Sequence, residues 1–403
     1  MLDVLQHAET ILRDGRWGVL GTVVRLDGSG YAGPGTRMVM DSDGGYTGYI
    51  SGGCLEKELC RRAVAGTVQG PATIAFDTRG RAMEATRINT GCEGVVWVYC
   101  ERFGPDNDEA VRWLRDSQSA SDERIALTVY RSESAALPIG SRWQRIGSRW
   151  RKVAAEDGRP GRTTRLEGGP LANLIAAAET IDTFTRSCSA VLIEDGQERS
   201  VDYFVERLRP TRRLIVFGGG DDAMPVVAGA VRMGWAVVVV DANPHRLTTQ
   251  RFGGATLIAG RTADAVANLS TNVRTDVVVM THDFEGDIDL LPALSCLPVR
   301  SIGWLGPKRR LGRLIHHCYQ RGVTIDPAMV HRMRCPIGLD IGSESPQEVA
   351  LSILAELVAI ENGRGGGRLH DHRGALHDRP PHRHESLVDD GSMIDNTPMG
   401  SAG

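Results

Sequence analysis

The run from Leu214 to Asp241 limits the possible folds more than any other stretch of this chain. Leu214-Ile-Val-Phe217 is apolar enough for a buried strand, and it leads straight into Gly218-Gly-Gly220-Asp-Asp-Ala223. That is a G-x-G-x-x-A turn between a strand and a helix. Met224, Val227, Ala228 and Val231 mark one helix face, Gly234 closes it, and a second apolar strand at 236–240 ends on Asp241. In such a unit Gly218 permits the tight turn, Gly220 lets a pyrophosphate approach the backbone, and small Ala223 lets helix and strand pack closely. The helix start offers free N–H groups to phosphate, and Asp241 is placed to accept from ribose hydroxyls. Asp221 and Asp222 suit the helix dipole but repel an anion. An altered site on the same doubly wound frame therefore stands beside the nucleotide reading.

The pattern continues to residue 362. Residues 276–280 form another apolar strand, followed by Thr281-His282-Asp283, where ligands bind in open parallel sheets. His282 could meet a phosphate or act as a base, or simply cap the next helix. A strand follows at 301–305. Ser345-Pro-Gln-Glu348 is a capping box with proline at the first helical position, and it starts a helix burying Val349, Ile353, Leu354 and Leu357. Residues 208–362 are thus expected to be a Rossmann-like, doubly wound parallel-sheet domain.

The first half reads differently. Of 48 glycines, 14 fall between Gly15 and Gly70, among strands expected at 19–25, 38–40 and 46–50. An amphipathic helix opens the chain, with Val4, Leu5, Ala8, Ile11 and Leu12 on one stripe. Ser51-Gly52-Gly53-Cys54-Leu-Glu-Lys-Glu then turns into a helix with Leu55, Leu59 and Ala63 inward. Cys54 stands at that helix start, which lowers a thiol's pKa. Cys92 is framed by Gly91 and Gly94 before a strand at 95–99. Both could offer thiolates to a soft metal centre, or be small buried hydrophobes. The other six cysteines read as core or incidental.

Residues 105–207 read as a second part of this glycine-rich α+β domain (1–207), with a helical pattern at Val111 and Leu114 and strands at 190–193 and 203–205. Ile-Gly-Ser-Arg-Trp occurs at 139–143 and again at 146–150. Two copies are too few for a solenoid, and this basic stretch is expected to be a mobile loop. Residues 363–403 carry few aliphatics and are expected to be a disordered tail, its five histidines solvated rather than metal-bound.

Composition narrows the function. A formal charge of −3 argues against a dedicated nucleic-acid or membrane-surface binder. No apolar run reaches the ~18 residues of a membrane span, and the basic start and apolar core of a signal peptide are missing. Eight scattered cysteines without a Cys-x-x-Cys pair fit a reducing compartment, so the chain is expected in the cytoplasm.

Gly28-Ser29, Pro34-Gly-Thr-Arg-Met38, Ser51-Gly-Gly-Cys-Leu-Glu56 and Gly91-Cys-Glu-Gly94 together resemble the XdhC/CoxI family. Thr281-His-Asp283, Gly306-Pro-Lys-Arg-Arg310 and Pro336-Ile-Gly-Leu-Asp-Ile-Gly342 resemble the same family's C-terminal domain, so the likeness spans about residues 5–362 in order. The resemblance implies an accessory chaperone rather than an enzyme. It would bind molybdenum cofactor, support its sulfuration by a cysteine desulfurase, and insert it into a molybdenum hydroxylase such as xanthine dehydrogenase. It also implies Cys54 and Cys92 as sulfur ligands near the metal. Ser51, Gly52 and Gly53 would be backbone donors to pterin or phosphate. Where the family has proline and basic residues this chain has Tyr31-Ala-Gly33, which leaves Arg37 and Lys57 as counter-charges. Asp221 and Phe284 stand where the family often has histidine. A competing expectation is an NAD(P)-dependent oxidoreductase with His282 as acid/base. A homodimer is the default among soluble oligomers.

Overall fold

The computed structural model describes residues 2–371 apart from 29, 54, 79–93, 147–148, 154–185, 195, 296 and 324. Three sheets organise them. The chain opens with helix α1 (Leu2–Arg13), whose Val4, Leu5, Ala8 and Ile11 pack against Leu20, Val39 and Phe103. It continues through β1 (Gly18–Gly28), β2 (Arg37–Asp41), β3 (Tyr46–Gly48), α2 (Glu56–Gly66), β4 (Ala72–Asp77) and β5 (Gly94–Phe103). These strands pair antiparallel in the order β3-β2-β1-β5-β4. Leu59 and Ala63 of α2 cover Val19, Val96 and Val98 on one face of this sheet.

Helix α3 (Glu109–Ser119) then leads to β6 (Arg124–Ser132), β7 (Arg142–Ile146), β8 (Arg149–Val153), β9 (Arg186–Glu194) and β10 (Gln197–Leu208). They form a second antiparallel sheet, ordered β8-β7-β6-β10-β9. The repeated Ile-Gly-Ser-Arg-Trp stretch, expected as a mobile loop, instead forms strand over residues 142–146 and 149–150. Arg142-Trp143 of the first copy open β7, Ile146 of the second closes it, Arg149-Trp150 open β8, and the strands pair from Arg142↔Val153 to Ile146↔Arg149. Trp143 and Trp150 are both buried in the core of this sheet. The arginines between the apolar residues suggested a loop, whereas alternation on a half-buried strand produces the same pattern.

The first two sheets are joined through buried charge. Arg37 meets both carboxylate oxygens of Glu206 at 2.7 and 2.6 Å, and Arg142 meets Glu101 at 2.8 Å. Both guanidiniums lie over the Trp113 ring, at 5.1 and 4.1 Å from its centroid. Truncating one member of such a pair leaves a buried charge uncompensated, so these pairs hold the two sheets in one arrangement.

The third sheet is parallel throughout. Its strands are β11 (Arg213–Phe217), β12 (Ala236–Asp241), β13 (Thr256–Ala259), β14 (Thr275–Val279), β15 (Ser301–Trp304) and β16 (Met333–Arg334), ordered β13-β12-β11-β14-β15-β16. Counted within the sheet, this is the 3-2-1-4-5-6 order of the doubly wound dinucleotide fold. The helices are α4 (Ala223–Arg232), α5 (Thr262–Ala265), α6 (Phe284–Ser295), α7 (Lys308–Gln320), α8 (Pro327–Arg332) and α9 (Pro346–Glu361). α4 and α9 share a core on one face of the sheet, and α6 and α7 pack on the other. The capping box at α9 is complete, with Ser345 accepting from the Glu348 N–H and Glu348 accepting from the Ser345 N–H. The mixed architecture matches the expected fold class. Among the described residues, no helix is long and apolar enough to cross a membrane.

Candidate functional site

Two glycine turns, each running into a helix, carry the sequence-predicted residues. The first joins β3 to α2. Gly52 and Gly53 have φ of +76° and +109°, a region that strains residues with a Cβ. The loop is organised by Glu56, whose side chain is fully buried. One carboxylate oxygen accepts from the backbone N–H of Ile50 (3.0 Å) and Ser51 (2.8 Å). The other accepts from the Ser51 hydroxyl (2.7 Å) and from the N–H of Gly53 (2.9 Å) and Leu55 (3.1 Å). Burial alone would raise this carboxyl's pKa. The hydrogen bonds from the Ser51 side chain and from the Ile50 and Ser51 N–H groups outweigh it, and the net shift is downward.

The N–H groups of Ser51 and Gly53, expected to face a ligand, are therefore turned onto a carboxylate of the chain itself. In the sequence Glu56 reads only as a first-turn acid suited to the helix dipole. The available signal is an acid two residues past the Gly-Gly-Cys run, within reach of several unpaired N–H groups. Arg37, expected as a counter-charge, is buried and neutralised by Glu206. Lys57 is exposed in the first turn of α2. Cys54 and Cys92 lie outside the described residues. Among the described residues no three His, Cys, Asp or Glu side chains gather as a metal site.

Burial raises the thiol pKa of Cys60, Cys100, Cys318 and Cys335. Cys100 and Cys318 are buried in the core, and Cys60 and Cys335 are partly buried.

The second turn joins β11 to α4. Gly218 has φ +107°, and a Cβ there would come within 2.7 Å of the Met280 carbonyl. Glycine is thus required by the neighbouring strand end. Ala223 is fully buried against the sheet, as expected. At Gly220 a Cβ would meet the Asp222 carboxylate at 2.4 Å, so the space expected for a pyrophosphate lies beside an acid. Asp241 accepts from the N–H of Gly219 (2.6 Å) and of Asn243 (2.7 Å), which commits both oxygens to the loop. Asp221 is 90% exposed and pairs with Arg251 at 2.8 Å.

His282 stands at the rim, 74% exposed, with its Nε2 3.5 Å from Asp222. Below it, the fully buried Asp287 accepts from the Thr281 hydroxyl and from Arg310. Burial raises its pKa despite those two bonds.

The structure brings Gly218, Asp241 and His282 together on one cleft of about 590 Å³ at the carboxyl ends of the strands. Five carboxylates line it (Asp241, Asp283, Glu285, Asp287, Asp289) against Arg246, Arg261 and Arg321. All three arginines are already paired, Arg261 with Asp289 and Arg321 with Glu285 at 3.1 Å, and Arg246 with Asp241 at 3.7 Å. The balance disfavours a pyrophosphate.

Comparison with known proteins agrees with both halves. The profile of the XdhC and CoxI family matches residues 11–77, and that of the XdhC Rossmann domain matches residues 214–357. A probable xanthine dehydrogenase subunit from Bacillus subtilis is 26% identical, covering 87% of this chain and 95% of that protein. The molybdenum cofactor insertion chaperone PaoD of Escherichia coli is 23% identical, covering 89% and 87%. A crystal structure described as a xanthine dehydrogenase from Bacillus halodurans superposes with a TM-score of 0.66 at 25% identity, over 90% of this chain and 96% of that one. With one family's two profiles matching both ends in order, on the two kinds of sheet described above, this chain belongs to the XdhC and CoxI family.

Proposed function

We propose that this chain is a maturation factor that holds molybdenum cofactor and inserts it into a molybdenum hydroxylase of the xanthine dehydrogenase kind. The observation that carries the reading is the loop locked by Glu56. Gly53 and Leu55, the chain neighbours of Cys54, both donate to one buried carboxylate. Backbone fixed on each side of a cysteine loses little freedom when cargo binds, so affinity is not spent on ordering the site. Cys54 and Cys92 are the proposed thiolate ligands. The bare backbone of Gly52 and Gly53 allows close approach, and Lys57 supplies positive charge for the cargo's phosphate. The names of the Bacillus subtilis and Escherichia coli relatives support this reading.

Residues 1–207 carry the cargo, and residues 208–362 are the Rossmann-like domain. Residues 363–403, mostly outside the described ones, are assigned no part. The factor works in the cytoplasm as a homodimer. There a cysteine desulfurase installs the cofactor's terminal sulfur while the cargo is held. An NAD(P) oxidoreductase is the weaker reading, because the acidic cleft and the internal commitment of Asp241 do not fit a pyrophosphate and its ribose. The test is co-expression with cofactor biosynthesis intact. Molybdenum and pterin in equal amounts on the purified chain, depleted in Cys54→Ala, support the proposal. Stoichiometric NAD(P)H with turnover and no pterin refutes it.

A further inference from the structure

Four of the chain's seven tyrosines are exposed, and three of them, Tyr31, Tyr46 and Tyr49, flank the loop locked by Glu56. Tyr31 and Tyr49 form an edge-to-face pair, ring centroids 5.7 Å apart with planes at 74°. They nevertheless remain 59% and 56% exposed. Tyr31 lies against Gly52. A Cβ built on that glycine would sit 3.5 Å from two of its ring atoms and 3.6 Å from a third, so one ring face covers the loop backbone. Around Gly53 no atom of the described residues beyond its chain neighbours lies within 4 Å of a built Cβ. The base of the Tyr31 segment is fixed by buried Ala32 and by the Gly35 N–H donating to Val23 at 2.8 Å. Two aromatic rings held in this way cost little entropy on binding and offer a surface to a flat heterocycle.

We propose that Tyr31 and Tyr49 form an aromatic corner for the flat pyrimidine ring of the cargo's pterin, which stacks on one tyrosine and meets the other edge-on, next to the Ser51-Gly52-Gly53 loop. The proposal rests on the reading of the cargo given above, and it adds a ring-recognition site that the cysteines and glycines do not supply. The ring, not the phenol hydroxyl, is the recognised group.

The test is fluorescence titration of the full chain with 6-methylpterin, which has neither phosphate nor metal. Alongside it, pterin and molybdenum are measured on chain co-expressed with cofactor biosynthesis. The Tyr31→Leu/Tyr49→Leu double variant is expected to bind 6-methylpterin about tenfold more weakly. It should also carry less pterin, at an unchanged thermal midpoint. The Tyr31→Phe/Tyr49→Phe variant should stay within about twofold of the wild type, because its rings remain. Equal binding by the leucine variant overturns the aromatic corner even where the wild type carries full cargo. So does full cargo in that variant with loss only of delivery to a hydroxylase, which would make the pair a protein-docking surface. Wild-type chain that binds 6-methylpterin but never carries molybdenum would refute the cargo reading while leaving the aromatic corner standing.

Discussion

The turns at 51–56 and 218–223 have the same ingredients, adjacent glycines followed by acids at a helix start, yet opposite electrostatics. In the first the acid folds inward, and Glu56 takes four N–H groups and a hydroxyl from its own loop. In the second the helix-start acids stay near the surface, and an acid from the next strand, Asp241, holds the loop instead. The difference lies in reach. Glu56 has one more methylene than an aspartate and a buried position beneath its loop, whereas Asp221 faces solvent on Arg251 and Asp222 lies beside His282. A glycine turn before a helix is therefore an anion site only when no carboxylate of the chain has already filled it.

Glu56→Gln is the strongest challenge to this contrast. It places an amide where charged acceptors faced five donors, and should lower stability by about 3 kcal/mol in urea unfolding. Amide exchange at Ser51, Gly53 and Leu55 should quicken with it. A loss below about 0.5 kcal/mol, the range of an ordinary surface substitution, would mean the loop does not depend on its carboxylate.

The glycines sharpen the comparison next. Gly218→Ala combines backbone strain with a clash against the Met280 carbonyl and should cost about 3 kcal/mol. Gly53→Ala has a similar positive φ but open space around it, so only strain remains, about 1 kcal/mol. Equal thermal shifts for the two variants would remove the distinction between a glycine set by packing and one set by conformation alone.

Acid titration gives the smallest effect and separates the two regions by sign. The pKa of Glu56 is depressed when folded, so its stabilisation is full above the ordinary carboxyl value of 4.5 and is lost as pH falls through the lower folded value. The pKa of Asp287 is raised above 3.8, so its ionised form costs stability above the folded value, and that cost disappears as pH falls towards 3.8. Amide exchange between pH 7 and pH 3 should show protection near Ser51 weakening while protection near Thr281 holds or improves. Parallel loss at both places would contradict the sign assigned to Asp287.

Much of the α/β half is legible in the sequence, because each signal there is local. The 214–241 unit, the capping box at Ser345 and the strand ending before Thr281 all depend on neighbours within a few residues. The strands around 18–50 and the helix after Cys54 are legible for the same reason. What escapes depends on distant partners. Nothing near Arg37 announces Glu206, 169 positions away, so a buried cross-sheet ion pair resembles a ligand's counter-charge. The duplicated Ile-Gly-Ser-Arg-Trp does not show its pairing, because the partners lie outside the repeat, as Leu127 and Lys152 do on either side of Trp143. Glu56 is visible as a helix-start acid, but its role follows from the loop's curvature rather than from its place in the helix.

The central claim is that the cysteine-bearing loop above Glu56 carries molybdenum cofactor. Molybdenum per chain, measured on protein purified with cofactor biosynthesis intact, tests it most directly, comparing wild type with Cys54→Ser. The account predicts molybdenum and pterin together on the wild type and a loss of at least tenfold in the variant. Equal molybdenum on both proteins, or none on either, would contradict it.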